Sequence, residues 1–236
     1  MNHNEPVIEI EHLTVSFDGE EVIHDLSFCV EEGETLAIVG PNGSGKTTLL
    51  RAILGLVEYQ GKIRIKHGRE RIGYVPQRFS MDKDLPLSVG EFLSLRARQN
   101  DPNKVRQTLR LTEFPERLLT RAVGSLSGGE LQRLLISWTL VGDPMILLFD
   151  EPTAWVDIKT EEMVFAVLRS LREERNLTVL LVSHDLNVVY REASNVLCLN
   201  KEIVCHGSPQ EALTPASLAR LYGGEPLFYK HEHISS

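Results

Sequence analysis

Short apolar runs alternate with stretches of helical periodicity over most of the chain, and this alternation predicts an α/β fold built on a parallel sheet. VIEIEHLTVSF, residues 7–17, alternates partly and reads as a strand, while LSFCV puts Leu26, Phe28 and Val30 on one face. TLAIVG, MILLFD and TVLLVSHD, starting at Thr35, Met145 and Thr178, open on nearly unbroken apolar runs, the pattern of strands covered on both faces. KIRIKH and IGYVPQ add two more strands. Helical spacing appears in KTTLLRAILGL, again after Gly129, and in KTEEMVFAVLRSLREER, where Met163, Val167, Leu168 and Leu171 form a stripe. VLCLNKEIVCHG predicts a hairpin turning at Asn200 and Lys201, and SPQEALTPASLARLYG predicts one or two short helices.

From Arg78 to about Val123 the pattern changes. SVGEFLSLRARQ, NKVRQTLRLT and PERLLT read as helices separated by Pro and Asp, which predicts a small helical lobe inserted into the sheet domain. Repeats, coiled-coil heptads and low-complexity linkers are absent from the sequence.

Composition narrows the function classes. A chain 42% hydrophobic and 25% charged is ordinary for a soluble globular protein. Its net charge of −8 argues against a broad basic face for nucleic acid, and against direct adsorption to anionic lipid. The apolar runs are too short to span a bilayer, and the opening MNHNEPVIEIEH lacks the basic region and apolar core of a signal peptide. The expectation is a cytoplasmic protein whose membrane role, if it has one, runs through an embedded partner. Cys29, Cys198 and Cys205 form no CxxC pair; Cys29 and Cys198 sit in apolar alternating runs and read as core fillers in a reducing compartment.

The candidate chemistry begins at GPNGSGKTT, Gly40 to Thr48, which fits the phosphate-loop pattern GxxxxGK[ST] between a strand and a helix. Gly40, Gly43 and Gly45 let the backbone curl so that N–H groups of the loop, which also holds Asn42 and Ser44, face an anion, and the following helix adds its positive end. Lys46 can reach the β- and γ-phosphates, the Thr47 hydroxyl can ligate Mg²⁺, and Thr48 completes the loop. MILLFDE ends a buried strand on Asp150 and Glu151. Neighbouring strand residues point in different directions, so Asp150 can hold Mg²⁺ through its water shell while Glu151 acts as the catalytic base. Gln77 after YVP and His184 after LVS also follow strands, and strand ends line the ligand crevice of a parallel sheet. Gln77 can touch Mg²⁺ or its water, and His184 can hydrogen-bond the γ-phosphate. A second anion-ready helix start, Ser127, Gly128 and Gly129 in LSGGE, raises the question of why one chain carries two such sites.

GPNGSGKTT, LSGGE, LLFDE, SHD and the Gln of YVPQ occur in the order found in ATP-binding cassette (ABC) ATPases, which the chain resembles over nearly its whole length. The resemblance implies a P-loop NTPase core, a parallel sheet flanked by helices with N-terminal antiparallel strands, plus an inserted helical subdomain. Residues 1–77 and 136–223 would form the ATP-binding core, 78–135 the helical subdomain with the signature, and 224–236 a C-terminal tail. It further implies that two copies pack head to tail, so that Ser127, Gly128 and Gly129 of one copy close over ATP and Mg²⁺ held by the other. Phe17 matches the aromatic on which adenine stacks, with a packed core ring as the competing reading. Asp157 matches the Asp of the inter-subunit loop, beside Trp155 where a small residue is common. A cassette without membrane spans implies a separate integral membrane permease, a substrate-binding protein acting through it, and a place on the cytoplasmic face of the membrane. The CLN strand, the HG turn and the LYG helix end are similar to ATPases of zinc and manganese uptake systems, with iron-chelate import or a soluble non-transport role as alternatives. His231, Glu232 and His233 supply only part of a zinc shell, and a polar tail is the favoured reading.

Overall fold

The computed structural model describes residues 6–77, 79, 86–96, 102–151 and 158–223. Trp155, Asp157 and the His231–His233 tail lie outside them.

The apolar runs become the interior of a six-stranded sheet. Its strands are β3 (Thr35–Val39), β5 (Ile72–Val75), β6 (Ile146–Asp150), β7 (Thr178–Val182), β8 (Asn195–Asn200) and β9 (Glu202–Gly207). They lie in the order β5-β6-β7-β3-β8-β9, parallel from β5 to β8 and antiparallel between β8 and β9. Every residue of β3, β6 and β7 is buried, which is why these segments carry no polar alternation. A second sheet, antiparallel, joins β1 (Ile8–Phe17), β2 (Glu20–Val30) and β4 (Gln60–Ile65) in the order β2-β1-β4.

Cores form on both faces of the larger sheet, because successive side chains of a strand point opposite ways. On one face, Leu49, Leu50 and Ile53 of α1 (Lys46–Leu54) cluster with Ile8, Leu13 and Leu26 of the antiparallel sheet and with Ile38, Leu148 and Leu180. On the other, Leu147, Phe149 and Leu181 cluster with Val164, Phe165 and Leu168 of α5 (Ile158–Arg175). The helical lobe has its own core: Phe92 and Leu93 of α2 (Val89–Ser94), Leu109 of α3 (Pro102–Leu111), and Leu134 of α4 (Gly128–Val141). α4 runs unbroken past residue 135, so lobe and sheet share one helix. Beyond β7 come α6 (Leu186–Glu192), α7 (Pro209–Ala212) and α8 (Pro215–Tyr222).

Several elements differ from the sequence expectation. β2 starts at Glu20 rather than Leu26, because Asp18 and Gly19, both at positive φ, close a hairpin that pairs Phe17 with Glu20. PERLLT gives only a 3₁₀ turn, Glu116–Leu118. α6 was not signalled by periodicity; its start is capped by the Asp185 carboxylate, which accepts from the Asn187 N–H at 2.8 Å. The cysteine reading also needs correction. Cys29 is exposed, and Cys198 and Cys205, opposite each other across β8 and β9 with Cα atoms 4.8 Å apart, are joined by a disulfide.

β5 packs closely on α4. A methyl at Gly73 would lie 2.4 Å from Thr139 Cγ2 and 2.9 Å from Leu147 Cδ1. Gly73→Ala should therefore destabilise the fold by about 1–3 kcal/mol through overpacking. In urea unfolding this should appear as a lower midpoint at unchanged slope.

Candidate functional site

The phosphate loop connects β3 to α1, and its Gly40, Pro41 and Ser44 carbonyls are occupied by the protein's own donors. Lys46 Nζ donates to Gly40 O and to Pro41 O, both at 2.8 Å. Lys201 N–H, in the β8–β9 turn, donates to Ser44 O at 3.0 Å. Gly40 must be glycine, because a Cβ there would lie 2.0 Å from Leu199 O. Gly43 and Gly45 take φ of 79° and 99°, conformations that cost a side-chain-bearing residue. Ser44 Oγ is buried without a hydrogen-bond partner. That orphaned hydroxyl, beside an ammonium and the start of a helix, suits an anion such as a phosphate.

The chain closes this loop with carboxylates from β6. Asp150, 3% exposed, accepts from the Thr47 hydroxyl at 3.2 Å on Oδ1 and 3.0 Å on Oδ2. It also accepts from the Tyr74 hydroxyl, 3.3 Å from Oδ2. Burial pushes the Asp150 carboxyl above its usual range, the two hydroxyls pull it partway back, and Glu151 adds to the rise. Burial and the Asp150 charge push the Tyr74 phenol up to about 12. Lys46 is pulled below the usual ammonium value by burial, with Glu151 and Asp150 opposing. Thr47 and Asp150 thus present hard oxygen donors, the kind a small divalent cation accepts.

Glu151 faces elsewhere. It sits at φ 48°, a left-handed turn immediately after the strand. Gln77 Nε2 donates to its Oε2 at 2.5 Å, and His184 Nδ1 lies 3.8 Å from the same oxygen. Gln77, Asp150, Glu151 and His184 follow β5, β6 and β7 or end them, so parallel register gathers them at one edge of the sheet.

The structure therefore brings together the loop, Gln77, Asp150, Glu151 and His184. Ser127, Gly128 and Gly129 stand apart at the N-terminus of α4. Ser127 Oγ accepts from the Glu130 N–H at 3.4 Å and donates to Glu130 Oε2 at 2.9 Å, while Ser127 N–H donates to that oxygen at 2.9 Å. This capping box holds the Glu130 carboxyl below its usual range, the backbone bond contributing most. Nothing lies within 4 Å of a Cβ built on Gly129, so the turn is open above. Phe17 is 44% exposed at the β1–β2 hairpin, not packed in a core. Two contributors escaped the sequence reading: Tyr74, whose signal was only a polar-tipped residue in IGYVPQ, and Lys201, whose main chain supports the loop.

The profile of the ABC transporter family matches residues 23–154. The chain is 39% identical to a Thermotoga maritima protein named "Probable metal transport system ATP-binding protein", covering 92% of this chain and 90% of that one. It is 37% identical to "Zinc import ATP-binding protein ZnuC 1" of Hahella chejuensis, covering 92% and 84%. Its fold is similar, with a TM-score of 0.76 and 27% identity over 86% of this chain and 98% of the other, to a dimeric ATP-binding cassette in a post-hydrolysis state bound to ADP and Pi.

The raised Asp150 carboxyl has a signed consequence. Its folded value lies above the ordinary aspartate value of 3.8, so the folded chain holds this proton more readily than the unfolded one. Stability from Asp150 is full below 3.8 and falls as pH rises through the folded value. Asp150→Asn should lack that loss. Carbon-13 carboxyl titration should show the Asp150 signal above 3.8, absent in Asp150→Asn and higher still in Thr47→Val.

Proposed function

The chain belongs to the ABC transporter ATP-binding family, and from that premise we propose that it hydrolyses ATP to energise uptake of a divalent transition metal, zinc or manganese, through a separate membrane permease. The observation that carries this reading is a match over 92% of the chain to relatives named for metal transport and zinc import. No helix among the described residues is long and apolar enough to cross a membrane, which fits attachment to the cytoplasmic face through the permease. A substrate-binding protein would deliver the metal to that permease.

In this mechanism the phosphates of ATP occupy the loop Gly40–Thr48, and Lys46 turns its ammonium from the loop carbonyls toward the β- and γ-phosphates. Thr47, with Asp150 through water and Gln77 beside it, would hold Mg²⁺. When bound, that ion neutralises charge on the phosphate oxygens. Glu151 takes the proton of the attacking water, and Gln77 holds the Glu151 carboxylate in place until then. His184 is on the same carboxylate's flank and donates toward the γ-phosphate. Phe17 offers an exposed ring face for adenine.

The second anion-ready helix start serves a second copy of the chain. Ser127, Gly128 and Gly129 of one protomer complete the γ-phosphate site of the other, and by the family resemblance Asp157 would serve the inter-subunit loop. The dimeric solved relative supports this arrangement. Residues 78–135 would act as the subdomain that moves against the core of 1–77 and 136–223, and so carry dimer closure to the permease.

Two experiments test the reading. Glu151→Gln should bind ATP yet hydrolyse it about 10²- to 10⁴-fold more slowly, as loss of a general base requires. It should also run as a nucleotide-dependent dimer in light scattering; near-normal turnover would remove Glu151 from the role. In proteoliposomes holding the permease, ATP turnover should rise with a Zn²⁺- or Mn²⁺-loaded binding protein. Turnover driven only by an iron chelate or another solute would overturn the cargo.

A further inference from the structure

Tyr74 opens the YVPQ segment but has no role in the phosphate site as read from the sequence, yet its hydroxyl ends on the most buried carboxylate there. Tyr74 pairs with Leu148 in the β5–β6 register, and Asp150 is two residues further along β6. Leu148 and Asp150 share a face because strand side chains alternate, and two residues of strand span about 6–7 Å. A tyrosine bridges that step and puts an O–H donor against Asp150 Oδ2 at 3.3 Å. Phenylalanine would cover the same distance with nothing to donate.

Thr47 makes the other bond to this carboxylate, but its hydroxyl has one proton and spans both oxygens, at 3.2 and 3.0 Å. A single shared donor leaves the carboxylate free to rotate about its own axis. A second donor, the Tyr74 hydroxyl on Oδ2, restrains that rotation.

We propose that Tyr74 is a positioning residue: its hydroxyl locks the orientation of Asp150 and so sets the affinity of the site for its divalent cation. It touches neither nucleotide nor metal and acts only through Asp150. The inference rests on the reading of Asp150 as a carboxylate that serves the cation.

The test uses the full chain with ATP and Mn²⁺ as a paramagnetic probe, and bound metal is read by electron paramagnetic resonance. Tyr74→Phe should weaken Mn²⁺ retention about 3- to 10-fold, the range for one ordinary net hydrogen bond. Binding of a fluorescent ATP analogue in EDTA should stay within about twofold, since the loop is untouched. Unchanged Mn²⁺ affinity in Tyr74→Phe, with a clear loss in Asp150→Asn, would overturn the role of Tyr74 and leave Asp150 standing. Equal weakening with and without metal would overturn it as a merely structural effect, which the thermal midpoint of the ligand-free variant would also register. Unchanged Mn²⁺ affinity in Asp150→Asn would instead remove the reading of Asp150, and the inference with it.

Discussion

The site depends on how the backbone from Gly40 to Gly45 is fastened where the two sheets meet. Gly40 lies against the Leu199 carbonyl, and Ser44 O accepts from the Lys201 N–H, both on the β8–β9 hairpin. A Cβ on Gly45 would lie 3.0 Å from the Val22 carbonyl on β2, and the His24 N–H donates to Lys201 O at 2.8 Å, closing the ring of supports. The carbonyls of Gly40, Pro41 and Ser44 are thus satisfied by the protein. Because a buried carbonyl without a donor is costly, this distribution fixes which side of the loop is available to an anion. The antiparallel sheet, which holds none of the acidic chemistry, is therefore necessary to it.

Charge placement follows from the same junction. Lys46 is buried beside two carboxylates, and a buried cation and anions are tolerated only with each other and with hydrogen bonds. Asp150 and Glu151 are adjacent, and Glu151 adds to the rise of the Asp150 carboxyl. The left-handed turn at Glu151 separates them: Asp150 turns to Thr47 and Tyr74, and Glu151 to Gln77 and His184. Two neighbouring acids acquire different surroundings, which is the condition for two different roles.

Much of this was legible because its signals are local. The loop pattern, the apolar runs and the residues just beyond them encode strand–loop–helix units, and parallel pairing collects strand ends without further information. What escaped the sequence depends on register between distant segments. Tyr74 meets Asp150 only because β5 lies beside β6 in one alignment, and Cys198 meets Cys205 only through the register of β8 and β9. α6 begins on a single capping aspartate rather than on a long apolar stripe. Lys201 contributes a main-chain N–H, which no side-chain pattern records.

The signature segment adds a physical constraint on the proposed two-copy cycle. Glu130 accepts from both the N–H and the hydroxyl of Ser127, so in a lone protomer that hydroxyl proton is already committed. Its carboxylate also sits in the first turn of α4, where it offsets the helix's positive end. An incoming γ-phosphate must take the hydroxyl proton from Glu130 and tolerate a like charge nearby. In that cycle, closure over ATP would be opposed by the signature itself until the loop, its cation and the partner's donors together outweighed that hold. In the proposed cycle, nucleotide would have to overcome that hold before the two half-sites meet.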